Sequence, residues 1–197
     1  MGKSRADLAP GFLIASPPLG DPNFDRTVVL LVQHGAEGAL GFVVNRTLPL
    51  GLHELLTQAG YDVGGTTGGA PIHYGGPVQP TSGWLLAAEL GSHEGTLSVT
   101  DGLQVSPART AFDALAKAAK ELDAATFDAQ PRLVLLGYSG WGPGQLEGEI
   151  AAGAWLPVPF DARILFDTPV EERWERAYAL MGLTPAGLMT MRTGGEA

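Results

Sequence analysis

The chain has 197 residues, no cysteine, and a formal net charge of −9 from 21 acidic and 12 basic residues. The lack of cysteine excludes thiol catalysis, disulfide staples and cysteine-ligated zinc, and an acidic surface with no clustered basic face argues against direct nucleic-acid binding. With 45% hydrophobic and 17% charged residues, the composition is that of a globular domain. A chain of this size buries roughly 70% of its unfolded surface.

Residues 1–10 read as a loose arm with no signal or lipidation pattern, and no run approaches the roughly eighteen apolar residues of a membrane span, so a cytoplasmic chain is expected. Phe12–Ala15 is a short first strand ended by Ser16-Pro17-Pro18. Asp21-Pro22-Asn23-Phe24 reads as a loop that Phe24 anchors to the core. Thr27–Val32 and Ala39–Val44 are β-branched, nearly continuous apolar runs with a short polar link. That pattern predicts an antiparallel hairpin in the middle of a sheet. Asn45-Arg46 emerges at its end. Leu52, Leu55 and Leu56 then mark a short helix stopping before Gly60.

Gly64–Gly69 is glycine-rich but lacks a lysine and a following helix, so it reads as a loop and not as a phosphate cradle. Ile72–Tyr74 is a strand running into Gly75-Gly76-Pro77-Val78, a turn specified by its glycines. Trp84–Ala87, Leu97–Val99 and Leu103–Val105 are further strands, the last two joined by a turn at Asp101-Gly102. Ser106-Pro107 starts a helix over roughly 107–122, whose Phe112, Leu115, Ala119 and Leu122 share one face.

Leu133–Leu136 is a buried strand that is expected to break into the glycine-rich loop Gly137-Tyr138-Ser139-Gly140-Trp141-Gly142-Pro143-Gly144. A helix begins near Pro143 and carries Gln145, Glu147 and Glu149. Trp155–Pro159 and Ile164–Phe166 read as extended pieces. A final helix is expected from Thr168-Pro169, with Glu171 completing a capping box and Gly182 ending it. Strand-to-strand connections outnumber strand-helix-strand ones, which predicts an α+β fold with a mixed, largely antiparallel sheet.

Gly137-Tyr138-Ser139-Gly140-Trp141 approaches a nucleophile elbow, but Trp141 replaces the small residue that the elbow needs, and no histidine follows Ser139. No histidine pair has metal-ligand spacing, so neither a metal nor any other cofactor is expected. Glu147 and Glu149 suit the positive end of a helix dipole, while Gln145 or Glu147 could instead face a ligand. Arg46 could hold an anion or pair with an acidic neighbour.

Taken together, several stretches resemble the AlgH family, also called YqgE. They are Gly11–Ala15, Asp21–Phe24, Gly41-Phe42-Val43-Val44-Asn45-Arg46, Gly75-Gly76-Pro77-Val78, Leu136–Glu147 and Trp155. The resemblance spans about residues 11–182 and implies a branched sheet curled into a pseudo-barrel with helices outside. It implies a bacterial cytosolic protein and carries no catalytic set, one branch being described as a transcriptional regulator. The expectation is therefore a single domain over 11–190 between the arm and a frayed 191–197 tail. Its expected role is non-enzymatic regulation or binding, through an unidentified protein or small-molecule partner. Asn45, Arg46, Gly75, Gly76, Tyr138, Trp141, Gln145 and Glu147 are the candidate binding residues. The alternative is an enzyme for a small phosphorylated or nucleotide-like substrate, using Arg46 and Glu147.

Overall fold

The computed structural model describes residues 7–16, 22, 24–64 and 69–183. Most of the N-terminal arm, parts of the Ser16–Asp25 loop, the middle of the Gly64–Gly69 loop and the C-terminal tail lie outside the described residues. In chain order the elements are β1 (Gly11–Ala15), β2 (Val28–Gly35), β3 (Gly38–Val43), β4 (Thr47–Gly51), α1 (Leu52–Gln58), β5 (Pro71–Tyr74), β6 (Val78–Ala87), β7 (Leu97–Thr100) and β8 (Leu103–Ser106). They continue with α2 (Arg109–Glu121), α3 (Ala124–Asp128), β9 (Arg132–Trp141), α4 (Gln145–Ala151), β10 (Trp155–Pro159), α5 (Ala162–Phe166), a 3-10 turn at Val170–Glu172, and α6 (Arg173–Ala179). The chain divides into two compact units, one made of Met1–Arg46 with Ser139–Ala197, the other of Thr47–Tyr138.

In the first unit the order is β10-β1-β2-β3 followed by the end of β9, and every pairing is antiparallel. The β2–β3 hairpin forms as the sequence predicts, each strand having a neighbour on both sides. β1 and the first five residues of β2 are buried throughout, which is why they read as unbroken apolar runs. α6 closes over β1: the Trp174 indole N–H and the Tyr178 hydroxyl both donate to the Ala15 carbonyl at 3.1 Å. Burial of Tyr178 pushes its phenol up to about 12.

Arg173 is buried in the same layer. Nη1 donates to the Val44 carbonyl, Nη2 to that of Leu165 at 2.5 Å and Nε to that of Thr168 at 3.1 Å. One guanidinium thus staples the end of β3 to the segments around α5 and α6. Desolvation brings its pKa down to about 10.

In the second unit β9 is a branch point. Leu85 of β6 faces Val134 in antiparallel register, while Ile72 of β5 meets the same residue in parallel register. β6 continues to β8 and β7, and β4 pairs with β5. α2 lays its apolar stripe on this sheet, where Ala111, Phe112, Leu115, Ala116 and Ala119 join Leu52, Leu56, Ile72, Leu85, Phe127 and Val134 in one core. Phe112 sits so close to β6 that a Cβ at Gly83 would stand 3.1 Å from its ring. The architecture is α+β with a mixed, mostly antiparallel sheet. Among the described strands β10 ends the ladder of the first unit and β7 that of the second.

Four local expectations are corrected. β9 does not break after Leu136 but runs on to Trp141, because Gly137 takes a φ of +73° and lets the strand bend without ending. Ile164–Phe166 is helical: the Asp161 carboxylate accepts the Arg163 N–H and starts α5 where apolar content alone suggests a strand. The final helix starts at Arg173 after the 3-10 turn, and the Thr168 hydroxyl donates to the Arg163 carbonyl instead of capping it. Ser106 accepts the Ala108 N–H, so α2 begins at Arg109 and not at Pro107.

Candidate functional site

The first unit builds a locked corner where β9 meets α4. Gly144 takes a φ of +75° to turn the chain into the helix. Gly38 lies so near the strand end that a Cβ there would stand 2.2 Å from the Trp141 carbonyl. Within the corner Glu149 is the hub. Its Oε2 accepts both indole N–H groups, from Trp141 and Trp155, each at 2.8 Å. Its Oε1 accepts from Gln145 Nε2 at 2.9 Å, and the Gln145 amide oxygen accepts the Gly142 N–H at 3.1 Å. Phe24 packs on both tryptophans, 6.5 Å and 5.3 Å between ring centres. Hydrogen bonds to an ionised group are each worth about 1.5–3 kcal/mol, so this corner is rigid.

Glu147 stands earlier on α4, with its Oε1 3.6 Å from Nε2 of His34. The His34 side chain is only 5% exposed, against 19% for Glu147. His34 Nδ1 accepts the Leu8 N–H at 3.3 Å and lies 3.7 Å from an Asp7 carboxylate oxygen. With Nδ1 accepting, the neutral ring carries its proton on Nε2, facing Glu147. The imidazole is thus held between two carboxylates at the edge of the locked corner.

Asn45 and Arg46 work on the backbone. Asn45 Oδ1 accepts the Val28 N–H at 2.7 Å, and its Nδ2 donates to the Arg26 carbonyl at 2.8 Å. Arg46 donates to the carbonyls of Pro22 at 3.2 Å and Asp25 at 2.7 Å. The pair pegs the segment that carries Phe24, so in this unit Asn45 and Arg46 hold one end of a loop whose aromatic tip meets Trp141. Gly75, Gly76 and Tyr138 belong to the second unit. There a Cβ at Gly75 would come within 2.2 Å of the Gly137 carbonyl, and one at Gly137 within 2.4 Å of the Gly76 carbonyl. Tyr138 packs edge-on against Trp84 with ring centres 6.0 Å apart. Of the eight candidate residues, Trp141, Gln145 and Glu147 share the corner.

Grooves also lie among the described residues of the second unit. One, of about 310 Å³, is lined by Tyr61, Thr81 and Arg109 over an apolar floor that includes Leu56 and Phe112. The Arg109 guanidinium lies 5.6 Å from the Tyr61 ring centre. Burial and then Asp113 raise the Tyr61 phenol pKa, partly offset by Arg109. Another groove, of about 410 Å³, runs between α2 and β6 and reaches Gln130, Pro131 and Arg132. Among the described residues no group of histidine and carboxylate side chains could hold a metal, and no helix is long and apolar enough to cross a membrane.

The family model described as AlgH-like matches residues 12–186. The chain belongs to the AlgH-like family. It is 42% identical to a UPF0301 protein of Anaeromyxobacter sp. strain Fw109-5, covering 96% of each chain. It is 39% identical to a UPF0301 protein of Nitrosococcus oceani, over 87% of this chain and 88% of that one. The solution structure of the AlgH protein from Pseudomonas aeruginosa superposes with a TM-score of 0.74 at 38% identity, covering 96% of both chains. A Corynebacterium diphtheriae protein at 17% identity and TM-score 0.62, covering 90% of this chain and 88% of that one, shares the fold.

Glu149 and Arg132 are among the polar residues of this AlgH-like chain that escape a reading of its sequence. Glu149 looks like ordinary helix-dipole decoration, and only the fold brings both indoles onto its carboxylate. Arg132 looks like a solvated charge at a strand start, yet its side chain is 6% exposed. Its guanidinium carbon lies over the Phe127 ring, 3.6 Å from the ring centre, and Nη1 donates to the Phe127 carbonyl at 2.5 Å. Desolvation lowers its pKa, and Asp128 works in the other direction.

Proposed function

We propose that this AlgH-like protein acts by binding and not by catalysis, as a cytoplasmic regulatory protein whose recognition surface is the edge of the locked corner. The observation that carries this reading is Glu147 beside His34, on a helix whose start is fixed by the Glu149–tryptophan network. A rigid platform that presents a half-buried carboxylate suits selection of a partner, since little ordering is left to occur on binding. The role in transcriptional control that the family resemblance implies would run through a protein or small-molecule partner. A net charge of −9 leaves no electrostatic footprint for duplex DNA. An enzymatic role for Arg46 and Glu147 in one pocket is less well supported, because Arg46 already donates to the Pro22 and Asp25 carbonyls.

The test compares the wild-type chain with Glu147→Lys, checked for unchanged melting, in affinity capture and in a metabolite screen. A specific partner or small molecule retained by the wild type and lost by the variant is the expected result. Equal retention by both rejects the surface. Turnover of a phosphate ester that this substitution abolishes rejects the non-enzymatic reading.

A further inference from the structure

We infer that the groove between α2 and β6 in the second unit is a binding site for a small apolar carboxylic acid, with the Nε–Nη2 edge of Arg132 as the fork that takes its headgroup. The guanidinium donates in its plane along an end-on edge (Nη1, Nη2) and a side-on edge (Nε, Nη2), and among the described residues only Nη1 makes hydrogen bonds. Nη1 donates to the Phe127 carbonyl at 2.5 Å and reaches the Gln130 backbone and side-chain oxygens at 3.4 Å. Among the described residues Nε and Nη2 are buried and have no hydrogen-bond partner. Asp128 stands off at 4.0 Å from Nη2, the outer limit of an ion pair. These two nitrogens form the side-on edge that a carboxylate accepts in bidentate fashion. A buried cation whose donors are half used is costly to keep, and an anion with two coplanar oxygens relieves that cost.

Arg132 lines one end of the groove, which has the size and lining of a small-molecule site, at about 410 Å³. Leu85 and Leu115 give it an apolar wall, and Ala111, Ala114 and Ala118 keep it open along α2, where longer side chains would fill it. Glu89 also lines it, and with Asp128 beside the guanidinium the surroundings oppose a doubly charged phosphate. A monoanion with an apolar body satisfies each of these features. The site lies within Thr47–Tyr138.

The experiment uses the full chain and sodium octanoate as the probe, followed by titration calorimetry, with octanol and octyl phosphate as comparators. Octanoate is expected to saturate a single site, and both comparators to bind at least about tenfold more weakly. Arg132→Gln is expected to lose the preference for octanoate over octanol. Because that change touches a buried group, Ala114→Phe is the second variant: it alters an exposed position on α2, leaves Arg132 in place and fills the groove. It is expected to weaken octanoate at least about tenfold with melting unchanged. The inference is overturned if octanoate shows no saturable binding up to about 10 mM, a range that reaches the weakest specific affinities. It is equally overturned if octanol matches octanoate, or if Ala114→Phe binds as the wild type does.

Discussion

Arg173 in the first unit and Arg132 in the second are both nearly sealed from solvent, with 5% of the residue and 6% of the side chain exposed respectively. Arg173 spends all three guanidinium nitrogens on backbone carbonyls, one after β3 and two around the end of α5. Arg132, which lines a groove, spends one nitrogen on its own neighbourhood, and among the described residues its Nε and Nη2 find no hydrogen-bond partner. A buried charge whose donors are filled by the fold is a structural staple. A buried charge with half its donors idle has a reason to be there that lies outside the fold. Desolvation lowers the pKa of both, so what separates them is hydrogen-bond bookkeeping and not burial.

Substitution sharpens the contrast. Arg173→Met leaves the Val44, Leu165 and Thr168 carbonyls without their donor and is expected to cost about 3 kcal/mol or more in a urea unfolding curve. Glu149→Ala strands two buried indole N–H groups and should cost about 2 kcal/mol, with a change in tryptophan emission that reports the loosened corner.

Alkaline pH probes the layer that holds Arg173. Tyr178 titrates near 12 when folded against about 10 unfolded. Its contribution is complete below pH 10 and is lost as pH rises towards 12, at up to about 1.4 kcal/mol per pH unit. Arg173, lowered to about 10, acts with the opposite sign over the same range. Comparing wild type with Tyr178→Phe therefore isolates the tyrosine, and the gap between the two stabilities should narrow as pH rises from 10 to 12. The smallest effect is expected for Arg132→Met, below about 1 kcal/mol, because an apolar replacement removes an under-satisfied charge. A loss there as large as that of Arg173→Met would mean that Arg132 is a staple too.

Much of the fold is legible because its strands obey simple patterning. The β2–β3 hairpin reads directly from two apolar runs, and the apolar face of α2 reads from its helical spacing. α5 is not legible from hydrophobicity, since Ile164-Leu165-Phe166 looks alike as strand or helix; Asp161 two residues before Arg163 is the signal that decides it. β4 hides behind a proline and an alternation of exposed and half-buried residues. α3 is announced only by Asp123, whose carboxylate accepts the Thr126 N–H and hydroxyl. The corner at Trp141 is marked by its glycines and aromatics, but Glu149 as its hub depends on Trp155, which only the folded chain brings alongside. Asn45 and Arg46 stand out as a polar pair ending an apolar strand, and their backbone partners around Phe24 come from a separate stretch of sequence. Arg132 and Arg173 carry no sequence mark, because arginine is ordinarily exposed and burial is decided by what packs over it.

The most direct measurement is the side-chain Nε–H resonance of each buried arginine, followed by NMR while octanoate is added to the full chain. The Arg173 signal should be protected from exchange and stay in place, because its Nε–H is already committed to the Thr168 carbonyl. The Arg132 signal should shift to saturation and gain protection as its idle edge is filled. An Arg132 resonance that does not respond to octanoate, or an Arg173 resonance that moves with it, would contradict the distinction between staple and fork.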